Sequence, residues 1–407
     1  MHEPLRIGLF THSVNPRGGV VHTLELAQAL HNAGHLVTVM MPAAPGQRLF
    51  RAMSCVVELI PVGPTPRDTV EMVASRIDAI EHYLVNRLAH GGFDVLHAQD
   101  PISANALARV RSRGLISGFV RTVHHLDHFD DARLMAWQQQ GFEQASKVFC
   151  VSRLWRDGLL QTHGIDAALV HNGVDVQRYS PACDETDAVV ARDHGLRVGE
   201  GIVAPMVLAV GGVEERKNTV RILHAFIQLR RQQPGAQLVI VGGASLLDHD
   251  AHARQFHDCL QASGLSVGPG QAVVITGAVP DEHMPALFRA ADVLVMPSLR
   301  EGFGLVVLEA LASGTPVVVS RMAPFTEYLD EVDACWADPF SVDSIEQAMR
   351  RALLVSHAQA MQREPPAVCQ RFSWQRSAQR HVALYRAIQP STEKNTHARH
   401  ALSPSLA

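Results

Sequence analysis

One feature constrains this chain more than any other. Short apolar runs alternate with helically spaced segments, and each run closes on a glycine, a proline or a small polar residue. That rhythm belongs to parallel α/β architecture, in which every strand is followed by a crossover helix. Leu5 to Phe10, Leu36 to Met40, Phe93 to His97, Phe119 to Val123 and Lys147 to Val151 form a first set of expected strands. Val20 to Asn32 carries Leu24, Ala27 and Leu30 at helical spacing, and Gly34 stops it. Met206 to Val210, Leu238 to Val241, Val273 to Thr276, Val293 to Met296 and Val317 to Val319 form a second set. Between the two lies a polar stretch, Ser180 to Gly201, after the turn Asn172-Gly173-Val174-Asp175.

With 407 residues, these sets predict two Rossmann-like α/β domains facing each other across a cleft. The expected division is 1–180 and 200–371. An amphipathic helix over 372–389 is expected to pack back on the first domain, ahead of a polar, disordered tail at 390–407. In such sheets ligands bind beyond the carboxyl ends of the strands, so the turns after each run are where chemistry is sought.

Bulk composition excludes several functions. Thirty-six Lys and Arg against 40 Asp and Glu leave a net charge of −4, without the strongly basic character of a nucleic-acid binder. The six cysteines are widely spaced with no CxxC, which argues against a zinc ribbon, a redox motif or a disulfide framework. The run at Leu5 to Phe10 is too short for a signal core. No window approaches the roughly 20 apolar residues that cross a bilayer. The chain is expected to be soluble and cytoplasmic, with peripheral contact at the inner face of a membrane left open.

Four segments carry candidate chemistry. The first is Pro297-Ser298-Leu299-Arg300-Glu301-Gly302-Phe303-Gly304-Leu305, which follows an apolar strand and opens an apolar helix near Gly304. Unpaired N–H groups at that helix start suit a phosphate, and the glycines allow close approach. A carboxylate accepts two hydroxyls at once, so Glu301 and Glu309 suit sugar or ribose diols. The second is Gly211-Gly212-Val213-Glu214-Glu215-Arg216-Lys217-Asn218. Two adjacent cations at a helix start oppose the helix dipole, so a role in neutralising a diphosphate explains them better than solvation. The third is Gly18-Gly19, a strand-to-helix turn whose amides face the cleft, without the GxGxxG spacing of a dinucleotide fold. The fourth is Thr122 to Asp131, with His124, His125 and His128. Its histidines invite a metal reading, but it lacks HExxH and sits at a strand end. Asp248-His249-Asp250 lies in a polar loop and is expected to be surface.

The full context of the first segment, through Gly314-Thr315-Pro316-Val317-Val318, resembles the donor-site signature of glycosyltransferase family 4, a group of retaining enzymes of the GT-B fold. The resemblance covers roughly residues 5 to 385. It implies that Glu301 contacts donor-sugar hydroxyls, that the amides of Gly302, Phe303, Gly304 and Leu305 hold sugar and diphosphate, and that Glu309 binds the ribose. Many members carry Arg right after the first glycine of the second segment and Lys five positions on. Here Gly212 takes the Arg place, Lys217 matches, and Arg216 resembles the Arg-Lys-Asn version. Gly18 and Gly19 would line the cleft opposite the diphosphate, with Gly211 below it. His124, or His125 one register on, would contact the transferred sugar.

The same resemblance implies a nucleotide-sugar donor (a UDP-, GDP- or ADP-sugar), transfer by a front-face route, and no metal or other cofactor. The acceptor, a small molecule, lipid or glycan, would bind the first domain, shaped by Pro42 to Arg76 with Arg48, Arg51 and Arg67. The base would sit near Gly277 to Asp281. Rival readings are a GT-B nucleotide-sugar epimerase and a non-catalytic nucleotide-sugar-binding protein. A nicotinamide oxidoreductase lacks its glycine fingerprint here.

Overall fold

A computed structural model describes residues 3–197, 204–243, 250–359 and 364–388. Two all-parallel sheets organise them. The first has seven strands: β1 (Arg6–Phe10), β2 (Leu36–Ala43), β3 (Val56–Pro61), β4 (Val95–Ala98), β5 (Val120–Val123), β6 (Lys147–Cys150) and β7 (Ala168–Leu169), in the order β3-β2-β1-β4-β5-β6-β7. The second has six: β8 (Met206–Val210), β9 (Gln237–Val241), β10 (Val273–Gly277), β11 (Val293–Met296), β12 (Val317–Ser320) and β13 (Cys335–Ala337), in the order β10-β9-β8-β11-β12-β13. All five strands expected in each half are present. The additions are edge strands or near them. β7 and β13 are two and three residues long and write no strong apolar run, whereas β3 does carry one in Val56, Val57, Leu59 and Ile60 and was missed all the same.

The crossover helices of the first half are α1 (Gly18–Asn32), α2 (Thr69–Leu88), α3 (Pro101–Ser112), α4 (Ala132–Glu143) and α5 (Arg153–His163). Their starts follow local chemistry. The Asp68, Asp100 and Asp131 carboxylates each accept a backbone N–H of the helix they precede, and Pro101 occupies the first helical position of α3. In sequence, Gly18-Gly19 reads as a loop, yet both belong to the first turn of α1. There the amides have no intrahelical partner in any case.

The polar stretch after residue 180 also holds structure: α6 (Asp187–Asp193) packs on α9 (Met284–Ala290), and Asp187 pairs with Arg289 at 2.5 Å. Ala191 and Leu196 join the same core as Leu294 and Leu308. The remaining helices are α7 (Thr219–Gln232), α8 (Asp250–Ser263), α10 (Leu305–Ala312), α11 (Val342–Gln359), α12 (Ala367–Arg371) and α13 (Trp374–Ile388). Asp248, His249 and the tail Pro390 to Ala407 lie outside the described residues.

In each sheet the strand order reverses beside the first strand, between β1 and β4 and between β8 and β11. Adjacent loops there leave in opposite directions and open a crevice. The last helix, α13, crosses back: Trp374, Ala378 and Tyr385 are buried in one core with Leu9, Leu24 and Val39 of the first half. Truncating Trp374 should therefore unsettle the first sheet. Trp374→Ala is expected to cost about 3–5 kcal/mol, seen as a lower urea midpoint. An unchanged midpoint would show that α13 contributes little to that core.

Candidate active site

Three of the four candidate segments lie at the two switch points, and the fourth, after β5, brings His124 against Gly19 and Gly302. After β8, residues Glu215–Lys217 form one 3₁₀ turn, and Asn218 adopts a left-handed conformation before α7. This loop is sewn to the one after β11. Asn218 Nδ2 donates to the Pro297 carbonyl at 3.0 Å, and the Leu299 N–H donates to the Arg216 carbonyl at 2.9 Å. At the centre Lys217 Nζ donates to Glu301 Oε2 at 2.7 Å, with both side chains largely buried. Arg216 bonds Glu214 at 2.9 Å and lies 3.8 Å from Glu301. Gly211 gives the Lys217 stem room to pass, since a Cβ there would sit 2.8 Å from its Cε.

Burial pushes the Glu301 carboxyl up, but Lys217 and Arg216 outweigh it and hold it at about 2. Burial likewise lowers the Lys217 ammonium, with Glu301 opposing. The site is thus a fixed carboxylate ringed by cations. Arg17, preceding α1, is within electrostatic reach of Glu214 and Arg216 from the first domain.

Gly304 precedes α10 with φ +94°, a conformation suited to glycine, and a Cβ there would meet Phe325 at 2.7 Å. The Phe303 ring stacks on Tyr328 at 4.6 Å, whose hydroxyl donates to the Phe303 carbonyl. Gly302 lets the two domains come close: a Cβ on it would lie 2.5 Å from the His124 carbonyl oxygen. His124 is the histidine that turns inward. It is half-buried, its Nε2 lies 3.2 Å from Gln99 Oε1, and Gly19 packs beside its ring. His125 turns outward to Asp127 at 3.2 Å, and His128 is exposed. Among the described residues, no three His, Cys, Asp or Glu side chains are grouped as a metal site.

Glu309 lies within α10 and is 8% exposed. Burial pushes its carboxyl up to about 8, with Glu25 adding and Arg178 and Arg51 opposing. Those neighbours form a cluster that sequence reasoning did not find. Arg51, expected at the acceptor surface, instead bonds Asp281 in bidentate fashion at 2.9 and 2.8 Å and also pairs with Glu25. Arg178 joins Asp281 at 2.6 Å. The first domain thereby grips the region expected to hold the base. Two further ties cross the cleft. The Trp155 indole N–H donates to the Glu301 carbonyl, and the Glu327 carboxylate accepts the first N–H groups of α5 at 2.6 and 2.8 Å.

Two parallel α/β domains with their switch points opposed across a cleft of cations, carboxylates and helix-start amides define a glycosyltransferase of the GT-B type. Comparison with known proteins agrees. The Glycosyltransferase Family 4 profile matches residues 16–178, and that of Glycosyl transferases group 1 matches residues 202–364. The phosphatidyl-myo-inositol mannosyltransferase of Mycobacterium tuberculosis is 30% identical over 334 residues, covering 80% of each chain. Sucrose-phosphate synthase from Thermosynechococcus elongatus superposes with a TM-score of 0.72 at 22% identity, over 94% of this chain and 98% of that one. Anabaena HepE, in complex with UDP and glucose, gives 0.71 at 17% identity, over 94% and 100%. The chain belongs to glycosyltransferase family 4. Among the described residues, no helix is long and apolar enough to cross a membrane.

Two predictions follow from this geometry. Gly302→Ala forces a methyl against the His124 carbonyl, so the domains must part. Sugar transfer should fall at least about ten-fold, the cost of roughly 1.4 kcal/mol in the barrier, while the melting temperature barely moves; wild-type rates would mean the approach is not needed. For Glu309, a folded-state value above the ordinary carboxylate range favours folding below that range and is lost as pH rises through about 8. Thermal melts of the unliganded wild type should therefore fall by a few degrees more than those of Glu309→Gln between about pH 6 and pH 9. Parallel curves would contradict a protonated Glu309.

Proposed function

We propose that this protein is a retaining glycosyltransferase that moves a sugar from a nucleotide-sugar donor to an acceptor hydroxyl. The observation that carries this reading is the buried Lys217–Glu301 pair, flanked by Arg216 and set against His124 at the meeting of both switch points. The donor diphosphate lies against Lys217, Arg216 and the amides of Gly302 to Leu305, with Gly18, Gly19 and Gly211 lining its path. Glu301 and His124 hold hydroxyls of the transferred sugar, and Glu309 holds the ribose.

In the reaction the bond from the anomeric carbon to the diphosphate oxygen breaks first. Positive charge grows on the sugar ring and negative charge on the leaving phosphate, where Lys217 and Arg216 neutralise it. The acceptor oxygen then bonds to the same face of the anomeric carbon, and its proton passes to the departing phosphate oxygen. No enzyme nucleophile or metal enters this route. Closure of the domains, braced by Arg51, Arg178 and Asp281, keeps water from taking the acceptor's place.

The relatives' names direct the acceptor search. One acts on phosphatidyl-myo-inositol, and another, 26% identical over 407 residues, is the D-inositol 3-phosphate glycosyltransferase of Xylanimonas cellulosilytica. A hydroxyl on a cyclic polyol, free or lipid-borne, is the class to try first, and a lipid acceptor would bring the enzyme to a membrane surface. Thermal shift against UDP, GDP, ADP and their sugars should identify the base, since saturating ligand adds stability; a shift with NAD alone would sink the reading. Lys217→Ala should lower transfer about 10²–10³-fold with the fold intact by circular dichroism. A fully active variant would remove Lys217 from the mechanism.

A further inference from the structure

His124 is not held by its own loop alone. An amide oxygen can only accept, so the contact with Gln99 Oε1 places the proton on His124 Nε2. Gln99 in turn lays its amide nitrogen over the face of the His97 ring, 3.3 Å from Nε2 and 3.4 Å from Nδ1. His97 is fully buried between two hydroxyls, Thr122 Oγ1 at Nε2 and Tyr385 Oη at Nδ1, each at 2.7 Å. Tyr385 is 1% exposed and belongs to α13, the helix that returns from the far end of the chain. Polar contacts therefore lead from Tyr385 to the His97 ring, from the face of that ring to the Gln99 amide, and from its oxygen to His124.

A second contact reaches the same ring. His22 of α1 meets His124 edge-on with centroids 4.5 Å apart, and on its other side meets Trp374 of α13 at 5.3 Å. Its Nδ1 is anchored to Asn172 Oδ1 at 2.9 Å. Burial disfavours the charged form of His22, His97 and His124 alike, so all three are neutral and each has one donor and one acceptor nitrogen. With its plane pinned by Thr122 and Tyr385, the His97 ring sets how the Gln99 amide lies over it and so keeps Oε1 turned to His124.

We infer that Tyr385 of α13, acting through His97 and Gln99, is a positioning residue for sugar transfer: it fixes His124 as the Nε2–H tautomer and leaves Nδ1 to accept from a hydroxyl of the donor sugar. This rests on the proposed placement of His124 at the donor. It gives the returning helix a part in catalysis beyond covering the first domain's core.

Tyr385→Phe in the full chain tests it, because only one hydroxyl is removed and the ring still packs. Release of UDP from UDP-glucose and of GDP from GDP-mannose measures the step. The expected result is a kcat lowered about ten-fold, the worth of one hydrogen bond, with donor KM and melting temperature little changed. Gln99→Leu breaks these contacts at a second point. It should match that loss, and the double variant should be no slower than Gln99→Leu alone.

Histidine side-chain ¹⁵N–¹H spectra give a readout separate from rate. The His124 signals, assigned by their absence in His124→Ala, should show one Nε2–H tautomer in the wild type and a mixture in Tyr385→Phe. An unchanged kcat with unchanged His124 signals in Tyr385→Phe overturns the inference, as do additive losses in the double variant. If instead His124→Ala releases nucleotide at the wild-type rate, the placement of His124 at the donor is what fails.

Discussion

The pairing of Lys217 with Glu301 is the contact on which the site depends. Each charge sits where water cannot reach it well, and each offsets the cost of burying the other. Losing one partner of such a pair typically costs about 3–5 kcal/mol, because the other is left buried and uncompensated. The pair also joins the two loops at the β8/β11 switch point, together with Asn218 on the Pro297 carbonyl and Leu299 on that of Arg216. Gly211, Gly302 and Gly304 then serve it by removing side chains that would block the lysine, the facing domain or the Phe325 ring.

The contacts between the domains are of another kind. Arg51 and Arg178 reach Asp281, Glu327 caps α5, and Trp155 donates to the Glu301 carbonyl. These are directional and polar, and they lie beside an apolar seam in which Val151, Val174 and Tyr179 are buried with Phe288 and Phe303. Polar ties can re-form with water when domains move, while an apolar seam resists parting. An enzyme that must admit a bulky donor and then shut out water needs this balance. The high carboxyl value of Glu309 reflects the same burial, since a protonated acid is cheaper to keep among buried groups than a carboxylate.

What could be read from sequence was what is local. A strand, a glycine turn and a helix start are encoded by neighbours, so the loops holding Lys217, Glu301 and the Gly18-Gly19 pair were legible, as were the ten principal strands. The inward turn of His124 rather than His125 was not, because it depends on Gln99 and Gly19 from other loops. Arg51 meets Asp281 across 230 positions and His97 meets Tyr385 across 288, and no periodicity records such a meeting. An arginine in a loop, even one flanked like Arg51 by Phe50 and Ala52, looks solvated until its partner is in view. α6 escaped because its seven residues are half polar and dilute the apolar signal, while β3 was passed over despite its apolar Val56-Val57 and Leu59-Ile60.

The return of α13 has a consequence for how the molecule comes into being. The first lobe is made first, yet the helix bearing Trp374 and Tyr385 is synthesised only after the whole second lobe. Until then the apolar face that receives it stands open beside Leu24 and Val39. A first lobe folded as it is made therefore lacks Trp374 and Tyr385 from its core. It waits for the ribosome to deliver that piece, and a message cut short ahead of it would spoil the part of the protein that was made earliest.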